Sequence, residues 1–192
     1  MKKTNSLISS PKPNTNKFLI TGNPGIGKTT LIMQFAKYYE QRCKINGFYT
    51  REIRQSGVRI GFGITTFQGT EKILAHVNFD SQYRIGRYGV SLSNLNDAIQ
   101  IIESRTDPPD IWIIDEIGKM ESYSSKFKNF IERVFSELPA VIATIAKSAG
   151  GWISLIRNRK DLKLLELTYH NREHFFQNFI SNNLLEINQK SL

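Results

Sequence analysis

The sequence predicts an α/β fold: a largely parallel central sheet flanked by helices, with an antiparallel meander inserted into it. Three observations predict it. Short apolar runs of strand length alternate with segments that carry apolar residues at helical spacing, the pattern of parallel strands joined by crossover helices. A glycine-rich loop joins the first run to the first helix. Between Gly47 and His76, β-rich runs are separated only by turn residues, as in consecutive antiparallel strands.

Residues 1–16 are rich in Ser, Asn, Pro and Lys and are expected to form a disordered leader. One domain is expected over 17–182, and residues 183–192 are expected to fray. Phe18–Thr21 is a buried-strand run, followed by a helix from about Lys28 to Arg42 with Leu31, Phe35 and Tyr38 on one face. The meander runs are Phe48–Thr50, Val58–Thr66 and Ile73–Val77, split by turns at Gln55-Ser56-Gly57 and Gln68-Gly69-Thr70. Leu95, Ala98, Ile99 and Ile102 mark a second helix, ended by Asp107-Pro108-Pro109. Ile111–Asp115 is a continuous apolar run ending in acid, as in a central parallel strand. Phe127, Phe130, Ile131 and Val134 mark a third helix that Ser124 or Ser125 can cap. Strands over Ala140–Ile145 and Leu162–Thr168 and a helix over Asn171–Ile180 complete the pattern.

Composition narrows the class. With 192 residues, 40% of them hydrophobic and 11% aromatic, the chain can bury a sizeable core, which excludes wholesale disorder. No apolar run approaches the roughly 18–20 residues that span a bilayer, and the N-terminus lacks a signal-peptide core. Cys43 is the sole cysteine, which excludes a disulfide framework and a cysteine-based zinc site. A soluble, cytoplasmic protein with no membrane partner is expected. The net charge is +9, of which Lys2, Lys3, Lys12 and Lys17 supply four, leaving +5 for the remainder. That remainder suits an anionic small molecule, a nucleic acid or solubility alone.

Gly22-Asn23-Pro24-Gly25-Ile26-Gly27-Lys28-Thr29 matches the phosphate-loop pattern G-x-x-x-x-G-K-[ST], the Walker A motif, between a strand and a helix. Glycines let the backbone wrap an oxyanion at a helix N-terminus, where the dipole favours negative charge. Lys28 would reach the β- and γ-phosphates, and Thr29 would place its hydroxyl on Mg²⁺. Its partner, of Walker B type, is Ile111-Trp112-Ile113-Ile114-Asp115-Glu116. Asp115, at the carboxyl end of a strand, would hold the Mg²⁺ shell. Glu116 is either a general base that turns toward the γ-phosphate or a surface acid on the strand-end loop. As a base it favours hydrolysis over transfer to an acceptor. Thr144 would sense the γ-phosphate, or would serve packing alone.

An arginine could stabilise charge in the transition state. The candidates include Arg54 and Arg59 in the meander and Arg157 and Arg159 later, and spacing does not choose among them. No aromatic–basic signature of an RNA-binding sheet is present, so nucleic acid is not the expected main substrate. His170-Asn171-Arg172-Glu173-His174 spells H-x-x-E-H, yet few residues remain to supply a third ligand, and Asn171 looks like a helix cap. It is not expected to bind metal.

Several further runs carry a resemblance: Gly47-Phe48-Tyr49-Thr50, Arg59-Ile60-Gly61-Phe62, Arg84 to Val90, Leu167-Thr168 and Asn171-Arg172. Most diagnostic is Ile114-Asp115-Glu116-Ile117-Gly118-Lys119-Met120-Glu121. With the phosphate loop, they resemble the cancer-related nucleoside-triphosphatase family, first known from thermophiles, over about residues 17–180. The resemblance implies a RecA-like P-loop NTPase that hydrolyses ATP, GTP and other nucleoside triphosphates with Mg²⁺, and diphosphates more weakly. It carries over nucleotide binding to residues 22–29 with Thr30, and to Trp112, Ile113, Ile114, Asp115, Glu116, Ile117, Gly118 and Lys119. It also implies a functional surface around Arg54 and Arg59. Two alternatives are a P-loop kinase for a small acceptor and a nucleotide-switched, nucleic-acid-associated module. Nothing in the sequence demands more than a monomer.

Overall fold

The computed structural model describes residues 16–137, 140–182, 184, 185 and 187. In chain order the elements begin with β1 (Lys17–Gly22), α1 (Lys28–Tyr39), β2 (Ile45–Gln55), β3 (Val58–Thr66) and β4 (Glu71–His76). Next come β5 (Arg84–Ile85), β6 (Tyr88–Val90), α2 (Leu92–Glu103), β7 (Ile111–Ile117) and a short 3₁₀ turn over Glu121–Tyr123. The last are α3 (Ser125–Glu137), β8 (Val141–Ile145), α4 (Gly151–Arg157), β9 (Lys163–Leu167) and α5 (Phe175–Ser181).

All the strands join one sheet, in the order β5-β6-β4-β3-β2-β7-β8-β1-β9. From β2 to β9 the neighbours are parallel. The almost wholly buried strands β7, β8 and β1 lie side by side between β2 and β9, because an apolar run needs cover on both faces. One face carries α2, α3 and α4, packed through Leu95, Ile99, Phe127, Phe130 and Ile153. The other carries α1 and α5, packed through Ile32, Phe35 and Phe179.

The antiparallel meander expected as an insertion extends the main sheet. β2 pairs with β7 in parallel through Ile45–Phe48 and with β3 in antiparallel fashion from Phe48 to Gln55. One strand thus serves both halves, and β3, β4, β6 and β5 extend the same sheet. Gly47 makes the junction possible. Its φ is +125°, and a Cβ there would lie 2.0 Å from the Ile113 carbonyl oxygen.

Other differences have local causes. α1 ends at Tyr39, short of Arg42, because the N–H groups of Arg42 and Cys43 both turn back to the Tyr39 carbonyl. The closing helix starts at Phe175, since Asn171 and Thr168 instead exchange side-chain and backbone hydrogen bonds in a turn. Asn171 is therefore not its cap, and His170, Glu173 and His174 are exposed. No cluster of three His, Cys, Asp or Glu able to hold a metal occurs among the described residues. α4, opened by Gly150-Gly151, and the β5–β6 hairpin are additions to the expected pattern. Ser124 caps α3, accepting the Phe127 N–H at 3.0 Å. Apart from Asn16, the leader expected over 1–16 lies outside the described residues. Of the tail expected to fray, Leu185 is buried, and Leu184 and Ile187 pack partly against the α1 core.

Replacing Gly47 by alanine is expected to lower the unfolding free energy by about 3 kcal/mol, through both the positive φ and the Ile113 clash. Urea unfolding of the two proteins checks it.

Candidate functional site

β1 delivers the chain to the phosphate loop at the carboxyl edge of the sheet. Gly22 is required there, because a Cβ would lie 2.6 Å from the Leu167 carbonyl oxygen. Gly25 and Gly27 take φ values of +75° and +108°, which let residues 23–27 turn tightly into α1. Gly27 caps that helix without a side chain, leaving its first-turn N–H groups for an anion. Lys28 is buried; its Nζ donates to the Gly22 carbonyl at 3.3 Å and stands 3.6 Å from Glu116 Oε2. Asn23, Pro24 and Gly25 are exposed, Ile26 is buried beneath them, and Thr30 is exposed on the first turn of α1.

Asp115 lies opposite, fully buried at the end of β7. Three hydroxyls donate to it. Thr29 reaches Oδ2 at 2.7 Å from α1, Thr50 reaches Oδ2 at 3.2 Å from β2, and Thr144 reaches Oδ1 at 2.5 Å from β8. Thr144 therefore does more than pack. The Thr50 contact carries no signal in the sequence: Thr50 is 65 residues from Asp115, and no spacing signals a contact made by sheet register.

Strict alternation would turn Glu116 to the other face of the sheet. The β7–β8 register instead shifts between Ile114 and Ile117, and Glu116 comes to stand beside Lys28 on the side of Asp115. It is thus not a free surface acid. Burial raises its pKa, the nearby Lys28 charge pulls it back, and Asp115 pushes it up. A third acid, Glu121, is buried on the turn that follows. Its pKa is raised to about 8, mainly by burial and further by the charges of Glu116 and Asp115. Its signal in the sequence is its place in the diagnostic run Ile114–Glu121.

The rest of the expected binding segment divides. Ile113 and Ile114 are sealed into the two cores, and Trp112 packs on Phe130, so these three support the strand from inside. Ile117 is buried, while Gly118 and the exposed Lys119 form the turn beyond the acids. The arginines are engaged elsewhere. Arg54 donates to Glu52 at 2.9 Å and to the Gly57 carbonyl at 2.8 Å. Arg59 donates to Glu52 at 2.6 Å and to the Tyr88 hydroxyl at 3.1 Å. Arg157 donates to the Ala146 and Lys147 carbonyls, bracing the loop that leaves β8. Arg159 pairs with Glu132 and Asp161. Asp161 just precedes β9, which begins beside Phe18, so Arg159 stands at the end of the sheet remote from the loop.

A family model described as NTPase matches residues 17–180. The nucleoside-triphosphatase THEP1 of Thermotoga sp. (strain RQ2) is 42% identical over 166 residues, covering 86% of this chain and 94% of that protein. The cancer-related nucleoside-triphosphatase of Homo sapiens is 34% identical over 177 residues, covering 84% and 93%. Among solved structures, the crystal structure of THEP1 from the hyperthermophile Aquifex aeolicus superposes with a TM-score of 0.74. It is 32% identical and covers 86% of this chain and 98% of that one.

Two stability measurements test this geometry. Thr144→Val leaves a buried Asp115 oxygen without its donor and is expected to cost about 2 kcal/mol in urea unfolding. Glu121 has a folded pKa of about 8 against an ordinary 4.5, so the stability it contributes is present below the ordinary value and is lost as pH rises through about 8. The Tm of the nucleotide-free protein should fall across that window, and Glu121→Gln, which cannot ionise, should flatten the fall. Parallel slopes in the two proteins would contradict the raised value.

Proposed function

The chain belongs to the NTPase family, and on that premise we propose that it is a nucleoside-triphosphatase acting on ATP, GTP and other nucleoside 5′-triphosphates. The products are nucleoside diphosphate and phosphate, and diphosphates are hydrolysed more weakly. The observation that carries this reading is the meeting of Lys28 with Glu116, at 3.6 Å, and of Thr29 with Asp115, at 2.7 Å, at the mouth of one phosphate loop.

The loop N–H groups and the α1 N-terminus bind the β- and γ-phosphates, and Lys28 gives up its present acceptors for their oxygens. Glu116 lies beside that position with its side chain 31% exposed, which leaves room for a water molecule. It takes one proton as the water oxygen bonds to the γ-phosphorus. The bond to the β–γ bridging oxygen breaks, and its electron pair stays on the β-phosphate. Asp115 with the hydroxyls of Thr29, Thr50 and Thr144 is an oxygen-only donor set, which suits a hard cation such as Mg²⁺. Thr29 and Asp115 would hold Mg²⁺, whose chemistry when bound is to neutralise charge on the β- and γ-oxygens. A base next to the γ-phosphate favours water over a second substrate as acceptor. No helix among the described residues is long and apolar enough to cross a membrane. We further propose a cytoplasmic monomer, since one chain supplies every residue used here.

Phosphate release from a panel of nucleotides with Mg²⁺, with and without small acceptors and RNA, tests the reaction class. Release is expected from every nucleoside triphosphate without either addition; nucleoside diphosphate formed only with an acceptor, and without free phosphate, would indicate a kinase, and strong stimulation by RNA a nucleic-acid module. Glu116→Gln should retain nucleotide binding while kcat falls about 100-fold or more. Lys28→Ala should lose both affinity and turnover, and an unchanged ATP affinity would sink the phosphate-loop assignment.

A further inference from the structure

Among the described residues the buried charged side chains are Lys28, Asp115 and Glu121, and only Glu121 has no part in the reaction above. It opens the 3₁₀ turn beyond β7 and is 5% exposed. Its carboxyl lies close to the backbone N–H groups of Gly118 and of Glu121 itself, which pull its pKa down against the effect of burial. Glu121 Oε2 lies 2.8 Å from the point where a side chain at Gly118 would begin, and Glu116 Oε1 lies 3.7 Å from the same point. The two carboxyls share the space over one glycine. The turn is closed by the Ser122 N–H on the Gly118 carbonyl at 3.1 Å and tied to β8 by the Ala146 N–H on the Ile117 carbonyl at 3.1 Å.

We propose, resting on the general-base reading of Glu116, that Glu121 is its positioning residue: clamped over Gly118, it fills the space into which Glu116 would fold back and holds that side chain against Lys28. The backbone of Gly118 is outside the left-handed region, so its conformation does not demand glycine. A side chain there would instead displace the Glu121 oxygen. A leucine at 121 would fill the space without the desolvation penalty of an acid, but it would present no oxygen to the nearby N–H groups of Gly118 and residue 121. Because burial holds Glu121 largely protonated at neutral pH, it adds little repulsion to Glu116, to Asp115 or to an incoming polyphosphate.

Steady-state ATP hydrolysis by the full chain at neutral pH tests this with four variants. Glu121→Ala should lower kcat about ten- to hundredfold, as expected for a misplaced base, with KM changed by less than about twofold. Glu121→Gln keeps the shape and an acceptor, and should stay within about threefold of wild type. Gly118→Ala displaces the carboxyl without removing it and should lower kcat as Glu121→Ala does. The double variant should be no worse than Glu121→Ala alone. A Glu121→Ala protein with wild-type kcat, or a Glu121→Gln protein as impaired as Glu121→Ala, would overturn the positioning role. Where thermal melts show Glu121→Ala unfolded, Gly118→Ala decides: wild-type kcat there overturns the proposal. A wild-type protein that releases no phosphate overturns both readings. An active wild type with a dead Glu116→Gln and an unimpaired Glu121→Ala overturns the positioning alone.

Discussion

A carboxylate with no exposure to water must be supplied with hydrogen bonds or it destabilises the fold by several kcal/mol, and Asp115 is such a group. Its three donors come from the start of α1, the middle of β2 and the end of β8. Those bonds tie α1, β2 and β8 to β7 at one point. The same bonds leave oxygen atoms gathered at the mouth of the phosphate loop. Stability and chemistry therefore draw on the same contacts.

The two layers of helices divide the remaining work. α1 and α5 cover the face toward which Asp115, Thr144 and Lys28 point, and their aromatic cluster of Phe35, Phe176 and Phe179 seats the helix that begins at the phosphate loop. α2 and α3 cover the opposite face, and Ser124 joins the turn beyond β7 to α2 by donating to Asn96 at 2.6 Å. The acids at the end of β7 thus sit on a strand packed from both sides. That rigidity suits a reaction whose catalysis is mostly placement and electrostatics.

The positive charges play a smaller part than their number suggests. Arg51, Arg54 and Arg59 pair with Glu52 and Glu71 on the exposed meander. Pairs of that kind contribute at most about 1 kcal/mol each in water. Lys28 differs, being buried and facing a carboxylate across the loop. In the function proposed, one enclosed lysine and backbone N–H groups form the anion site, and the surface arginines stay with their carboxylates.

The amino-acid sequence by itself determined the elements whose signals are local: the phosphate loop with its glycines, the apolar runs that became β1, β7 and β8, the amphipathic α2 and α3, and the acids that end β7. These rest on periodicity and on conformations that particular residues require, which a neighbourhood of a few positions encodes. It did not determine α4, whose opening glycines argue against a helix, or the late start of α5, where Asn171 bonds to Thr168 instead of capping. Tertiary structure alone decided that the meander continues the main sheet, that Thr50 reaches Asp115, that Trp112, Ile113 and Ile114 are core, and that the arginines are taken up by other partners. It also turned Glu116 toward Lys28 through a register shift that alternation does not foresee. Each of these depends on which strands become neighbours and at what offset, a property of the whole sheet that no local pattern carries.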